Sequence, residues 1–118
     1  MDALSFLKGS HKRGEIHLAT VSGVATTNEE LIELFDRSIP SVDIITTKSF
    51  QTVPTPGNRE PVVCSPSPGD FGNSVGLRNP GMESASKELR EIRAKGMRAL
   101  LCVSLAASNP EDFITLVK

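Results

Sequence analysis

The sequence predicts an α/β fold, a parallel sheet with helices packed outside it. Three observations predict this. Strand-like and helix-like runs alternate along the chain, in the order strand, helix, strand, long loop, helix, strand, helix. Such alternation makes three βα units and implies parallel strands. The last apolar run, Ala99 to Ala106 (ALLCVSLA), is nearly continuous, as strands covered on both faces are. The helical segments carry charge on one side and apolar residues on the other.

Taken in order, Ile16 to Val21 (IHLATV) is the first strand, ending at Ser22-Gly23. Thr27-Asn28-Glu29-Glu30 fits a capping box with Thr27 as cap, and Leu31, Ile32, Leu34 and Phe35 form the apolar stripe of the helix that follows. Pro40 breaks that helix. Val42 to Thr47 (VDIITT) is β-branched and forms the second strand. Pro54, Pro56, Pro61, Pro66 and Pro68 then mark a loop that admits only short edge strands. Gly81 to Lys95 is the clearest helix, with Met82, Ala85, Leu89 and Ile92 at helical spacing. The third strand places Cys102 in the core as a buried thiol. Asn109-Pro110-Glu111-Asp112 opens a final helix with an asparagine cap, proline in the first turn and acids beside it.

Composition excludes several functions. The 118 residues support one domain, and the net charge of −1 leaves no basic excess for nucleic acid or an anionic membrane. There is no Trp or Tyr to stack on bases. Cys64 and Cys102 form no CxxC pair, so neither a zinc site nor a disulfide framework is indicated, and a reduced, cytoplasmic protein is expected. His11 and His17 have no second ligand at metal spacing and read as surface or packing residues. No run reaches the length of a membrane-spanning helix.

Chemistry in β/α folds collects where strands end. Ser22-Gly23 after the first strand lets backbone approach a flat ligand or a phosphate closely. Lys48 after the second strand reads equally as a lysine reaching for solvent and as a cation for an anionic ligand. Gly72-Asn73-Ser74-Val75-Gly76-Leu77-Arg78-Asn79-Pro80-Gly81 is a shaped loop that can offer backbone amides and a carboxamide. It lacks the Gly-Lys-Ser/Thr of a phosphate loop and the spacing of a dinucleotide fingerprint. The same residues read as a turn into a helix, with Asn79 as cap and Pro80 at the first position.

These blocks, with Pro56-Gly57-Asn58-Arg59-Glu60-Pro61 between them, resemble class 1 dihydroorotate dehydrogenases. Val21-Ser22-Gly23-Val24 is similar to the Ala-Ser-Gly turn of that family, and Thr46-Thr47-Lys48-Ser49 to its Thr-Lys-Ser segment. The 56–61 block resembles its Gly-Asn-x-x-Pro motif. Asn73 to Gly81 resembles its Asn-Ser-Met-Gly-Leu-x-Asn-x-Gly loop. The resemblance implies a parallel β/α (TIM) barrel, of which residues 16–118 would be the first three βα units of eight, an incomplete barrel, with residues 1–15 as an N-terminal extension. It implies FMN as cofactor and oxidation of dihydroorotate, or a similar small anionic substrate, to orotate. Val21, Ser22, Gly23, Lys48 and Ser49 would contact FMN. Lys48, Asn73, Val75, Gly76 and Leu77 would contact substrate.

The chain departs from the family at Val21, where alanine is usual, and at Val75, where methionine is common. The family's catalytic base, a cysteine or serine after the fourth strand, matches neither Cys64 nor Cys102 and is expected beyond residue 118. Its phosphate-binding glycines are missing too. Three functions compete: a dihydroorotate-dehydrogenase-type enzyme whose site is completed elsewhere, a non-catalytic partial barrel or split-gene subunit needing a partner, and a related flavin barrel with another substrate. A homodimer or a complementing chain is expected. The chain alone is expected to hold FMN weakly or not at all, and to oligomerise or aggregate through an unpaired strand edge.

Overall fold

The computed structural model describes residues 2–13, 16–24 and 26–118, with the backbone alone for residues 10–13. The His11 side chain therefore lies outside the described residues. The elements run α1 (Ala3–Arg13), α2 (Glu29–Ser38), β1 (Ile44–Thr46), β2 (Val63–Cys64), β3 (Gly72–Asn73), α3 (Met82–Lys95), β4 (Leu100–Cys102) and α4 (Pro110–Val117). They fall into two compact regions. One comprises Met1–Lys48 with Glu91–Val103, the other Ser49–Arg90 with Ser104–Lys118.

In the first region, β1 and β4 pair in parallel, Ile44 opposite Leu100 and Thr46 opposite Cys102. The expected first strand is reduced to a single parallel bridge, Ala19 with Ile44. Its ladder is interrupted by a side chain: the Thr46 amide donates to Thr20 Oγ1 at 2.8 Å instead of to a backbone carbonyl. Ile16 and Leu18 face outward, so no apolar face holds the segment down. The three parallel neighbours, in chain order, agree with the α/β reading.

The core of this region is Ile32 from α2, Ile45 from β1, Ile92 from α3 and Ala99 before β4, with Phe35, Val42, Met97 and Leu101 packed around them. Of the predicted α2 stripe, Leu34 is an exception and lies exposed. The cap of α2 is Asn28 and not Thr27: the Asn28 carboxamide accepts from the Leu31 amide at 3.0 Å. The third strand is also shorter than its apolar run. Leu100 and Leu101 are half-buried, while Cys102 and Val103 are exposed, so Cys102 is not a core thiol. An apolar run alone does not say which faces are covered.

The N-terminal residues form α1, which the sequence did not announce. Asp2 opens it by accepting from the Ser5 amide and hydroxyl. Phe6 meets the His17 ring with centroids 4.5 Å apart, and His17 Nδ1 lies 3.4 Å from Asp43, so His17 is a packing residue.

In the second region β2 and β3 form a two-stranded antiparallel ribbon inside the proline-rich segment. Phe50 bridges Leu105 in parallel, and Ser49 Oγ lies 2.8 Å from Ser104 Oγ. The α3 stripe is as predicted, with Ala85 fully buried in this region and Ile92 fully buried in the first. Its start differs: the helix begins at Met82, so Pro80 is not at its first position and Asn79 is not its cap. Asn109 caps α4 as expected, accepting from the Asp112 amide at 2.8 Å.

Candidate functional site

The residues singled out in the sequence fall in both regions. In the first, Val21, Ser22 and Gly23 form a turn closed by the Val24 amide donating to the Val21 carbonyl. Ser22 Oγ donates to the Thr47 carbonyl at 2.9 Å, which ties this turn to the end of β1. Val21 is 71% exposed. Gly23 has φ +78°, and a Cβ there would meet no described residue within 4 Å. Glycine is needed here for its left-handed backbone, and the space before it is open.

Lys48 leaves the same strand end. Its amide donates to the Thr26 carbonyl at 3.2 Å. The side chain is half-buried, and among the described residues its ammonium makes no ion pair or hydrogen bond. Thr26 is 1% exposed, and its hydroxyl has no partner among the described residues. Sequence reasoning missed Thr26, because a threonine two residues before a helix cap reads as turn chemistry.

In the second region, the 56–61 and 73–81 motifs interlock. The Asn58 amide donates to the Val75 carbonyl at 2.9 Å, and its carboxamide to the Ser74 carbonyl at 2.6 Å. Arg78 reaches back, with Nε donating to the Pro56 carbonyl at 2.9 Å and Nη2 to the Asn58 carbonyl at 3.1 Å. The backbones approach so closely that side chains are excluded. A Cβ on Gly57 would lie 2.4 Å from the Val75 oxygen, and one on Gly76 would lie 2.9 Å from Asn58 N. Gly57 and Gly76 are thus spacers, and Asn58 and Arg78 are struts. The motif spacing signalled both; their pairing was not visible.

The interlock leaves one run of backbone without partners. Among the described residues no acceptor pairs with the amides of Val75, Gly76 or Leu77. Gly76 and Leu77 have φ of 74° and 53°. Successive amides in such a turn form a concavity that suits an anion. Asn73 is exposed just before them on β3, and it also lines a cavity of about 260 Å³ with Pro61, Val62, Val63, Cys64, Gly72 and Ser74. Ser49 lies in this region with its hydroxyl against Ser104.

Among the described residues no group of three His, Cys, Asp or Glu could hold a metal ion, and no helix is long and apolar enough to cross a membrane. Residues 11–118 match the dihydroorotate dehydrogenase family profile. A curated relative, the catalytic subunit of dihydroorotate dehydrogenase B (NAD(+)) from Methanothermobacter thermautotrophicus, is 35% identical over 69 residues. That alignment covers 58% of this chain and 22% of the relative, so the match spans about a fifth of the relative's length. With nearly the whole chain matched and both polar motifs built into one interlocked loop, the chain belongs to the dihydroorotate dehydrogenase family.

Proposed function

We propose that this chain supplies the N-terminal part of a site that oxidises dihydroorotate to orotate in pyrimidine biosynthesis, within a β/α barrel that uses FMN. The observation that carries this reading is the run of unpartnered amides at Val75, Gly76 and Leu77, following Asn73. Dihydroorotate is a small ring with amide-like edges and a carboxylate, and it becomes planar only on oxidation to orotate. Amides suit the carboxylate, and the Asn73 carboxamide suits the ring's donors and acceptors.

The first region fits a flavin. The open left-handed turn at Gly23 and the Lys48 ammonium, unpaired among the described residues, offer a flat ring a close backbone and a cation, while the Ser22 hydroxyl, bonded to the Thr47 carbonyl, fixes the turn beside them. Val21 completes the contacts that the family pattern supports in this region; the same pattern assigns a flavin contact to Ser49, which belongs to the second region. FMN, when bound, supplies the acceptor for the electrons leaving the substrate. Lys48 would stabilise the negative charge that develops beside it, more strongly in a water-poor site than in bulk water. The relative is a catalytic subunit, which supports the expectation of a partner chain.

The primary test is titration of the ¹⁵N-labelled chain with orotate. Shifts should concentrate at the amides of residues 75–77 and the Asn73 side chain. Absence of shifts there at millimolar orotate would overturn the reading. A second measurement takes turnover of dihydroorotate, with FMN present, by the site completed through fusion or a complementing chain. Lys48→Ala should lower it on the order of 100-fold, while Lys87→Ala on the outer face of α3 should not. Near-normal turnover by Lys48→Ala would remove that lysine from the site.

A further inference from the structure

The amide run at 75–77 contains Leu77 at φ 53°, a left-handed conformation that leucine disfavours. Such a conformation persists only where neighbours enforce it. The enforcing group is buried directly behind it. Asn79 is 6% exposed, and all of its polar atoms are engaged. Its Oδ1 accepts from the amides of Gln51 at 3.1 Å and Gly81 at 3.0 Å. Its Nδ2 donates to the Leu77 carbonyl at 2.6 Å and to Gln51 Oε1 at 3.1 Å. Thr55 fixes Gln51 in turn, its hydroxyl donating to Gln51 Oε1 at 2.7 Å. The Asn79 backbone is pinned as well, exchanging both hydrogen bonds with Thr55.

The orientation of this carboxamide has one solution. Two backbone amides can only donate, so they face Oδ1; the Leu77 carbonyl can only accept, so it faces Nδ2. We propose that Asn79 is a positioning residue for the 75–77 amides: its carboxamide, locked by Gln51, holds the Leu77 carbonyl and keeps the three amides arranged to receive a carboxylate. This rests on the proposed role of the 73–77 loop. It adds a residue that touches no ligand and sets the geometry of those that do.

Asn79→Asp separates the two halves of the carboxamide. It keeps the shape and the acceptor for Gln51 and Gly81, loses the donor to Leu77, and sets a carboxylate against two oxygens. The folded variant should bind orotate on the order of tenfold or more weakly, read by the same amide titration. Adding Leu77→Gly should restore much of the loss, because glycine takes positive φ without a clamp. A general loss of packing would not be repaired at that one position. Unchanged orotate affinity in Asn79→Asp, or no rescue by Leu77→Gly, overturns the proposal. Should Asn79→Asp fail to fold, Gln51→Leu removes the lock from its far side and takes the same two readouts. Should the wild-type chain not bind orotate, the functional reading fails, and the positioning role is decided by Leu77 alone. Its φ, from three-bond HN–Hα couplings and carbon shifts, leaves the positive range in Asn79→Asp if the clamp is real and stays there if it is not.

Discussion

The two regions of this chain hold their shape by different physics. The first is organised by burial: Ile32, Ile45, Ile92 and Ala99 form an apolar centre beneath short parallel strands. The second, in its 51–81 segment, is organised by polar interlock. There Asn58, Arg78 and Asn79 bind carbonyls across the loop, and glycines permit the close approach. Burial tolerates inexact geometry and stabilises broadly. Interlocked hydrogen bonds stabilise less each, but they fix individual backbone groups in place. A site that presents amides needs the second kind of order.

The largest expected effect tests the burial side. Ile45 is fully buried, and Ile45→Ala should cost about 2–5 kcal/mol through lost transfer energy and the cavity left behind. Chemical denaturation gives the size. Amide exchange gives the place: protection should fall at the hydrogen bonds that β1 and its neighbours make, such as Thr20 to Ile44 and Thr47 to Cys102. Equal loss at the Asn58 and Thr55 amides would break the distinction, since both regions would then depend on one core.

The interlock is tested by a pair of glycines. Gly57 and Gly23 have nearly the same φ, 73° and 78°. Alanine at either costs about 1–2 kcal/mol for the left-handed backbone. Only at Gly57 does the added Cβ also meet atoms, the Val75 oxygen at 2.4 Å and Arg78 Cβ at 2.8 Å. Gly57→Ala should therefore be the more damaging and should displace the 75–78 resonances. Gly23→Ala should leave its surroundings in place. Comparable losses for the two would mean that the close approach contributes nothing beyond φ.

The same contrast explains what the sequence revealed. Helices α2, α3 and α4 were legible, because Ile32, Ala85 and Ile92 recur at helical spacing and Asn109 caps by local chemistry. Strand lengths were not. Whether Ala19 pairs as a strand or a bridge depends on Thr20 Oγ1 meeting the Thr46 amide, an event across 26 residues. The choice of Asn28 over Thr27 as cap turned on one residue of register, with two good capping residues side by side. Helix α1 went unread because Ala3 to Leu7 is too short an apolar run to declare a face; Phe6 packs on the ring of His17, which lies beyond the helix. In the site, the chemical residues were visible as motifs. Their supports were not, because Gln51 and Thr55 are ordinary loop residues until Asn79 is placed beside them.

The smallest expected effect concerns charge, and it sharpens the contrast by pH. Lys95 forms ion pairs with Glu29 and Glu33, joining the end of α3 to α2 in the first region. The Lys95 ammonium holds the Glu33 carboxyl below its usual 4.5, and the Leu18 amide, followed by His17, holds Asp43 below 3.8. Both carboxyls therefore bind protons less readily when folded than when unfolded. Their contribution is present above the usual carboxylate range and fades as pH falls through it toward the depressed native values. The Lys95 ammonium is shifted the opposite way, its pKa raised above 10.5 by Glu29 and then Glu33, so its contribution is lost only as pH rises beyond that value. Lys95→Ala should remove most of the Glu33 part of the acid dependence, keep what the Arg37 pair contributes to it, and leave the Asp43 part, which Asp43→Asn would remove. Because these pairs lie near the surface, the effect should be modest and should shrink with added salt. Melting temperatures from pH 6 to pH 3, at low and high salt, would show it as a shallower acid slope in the Lys95 variant. An unchanged slope would mean that the pair sits in the fold without contributing to it, and that burial alone carries the first region.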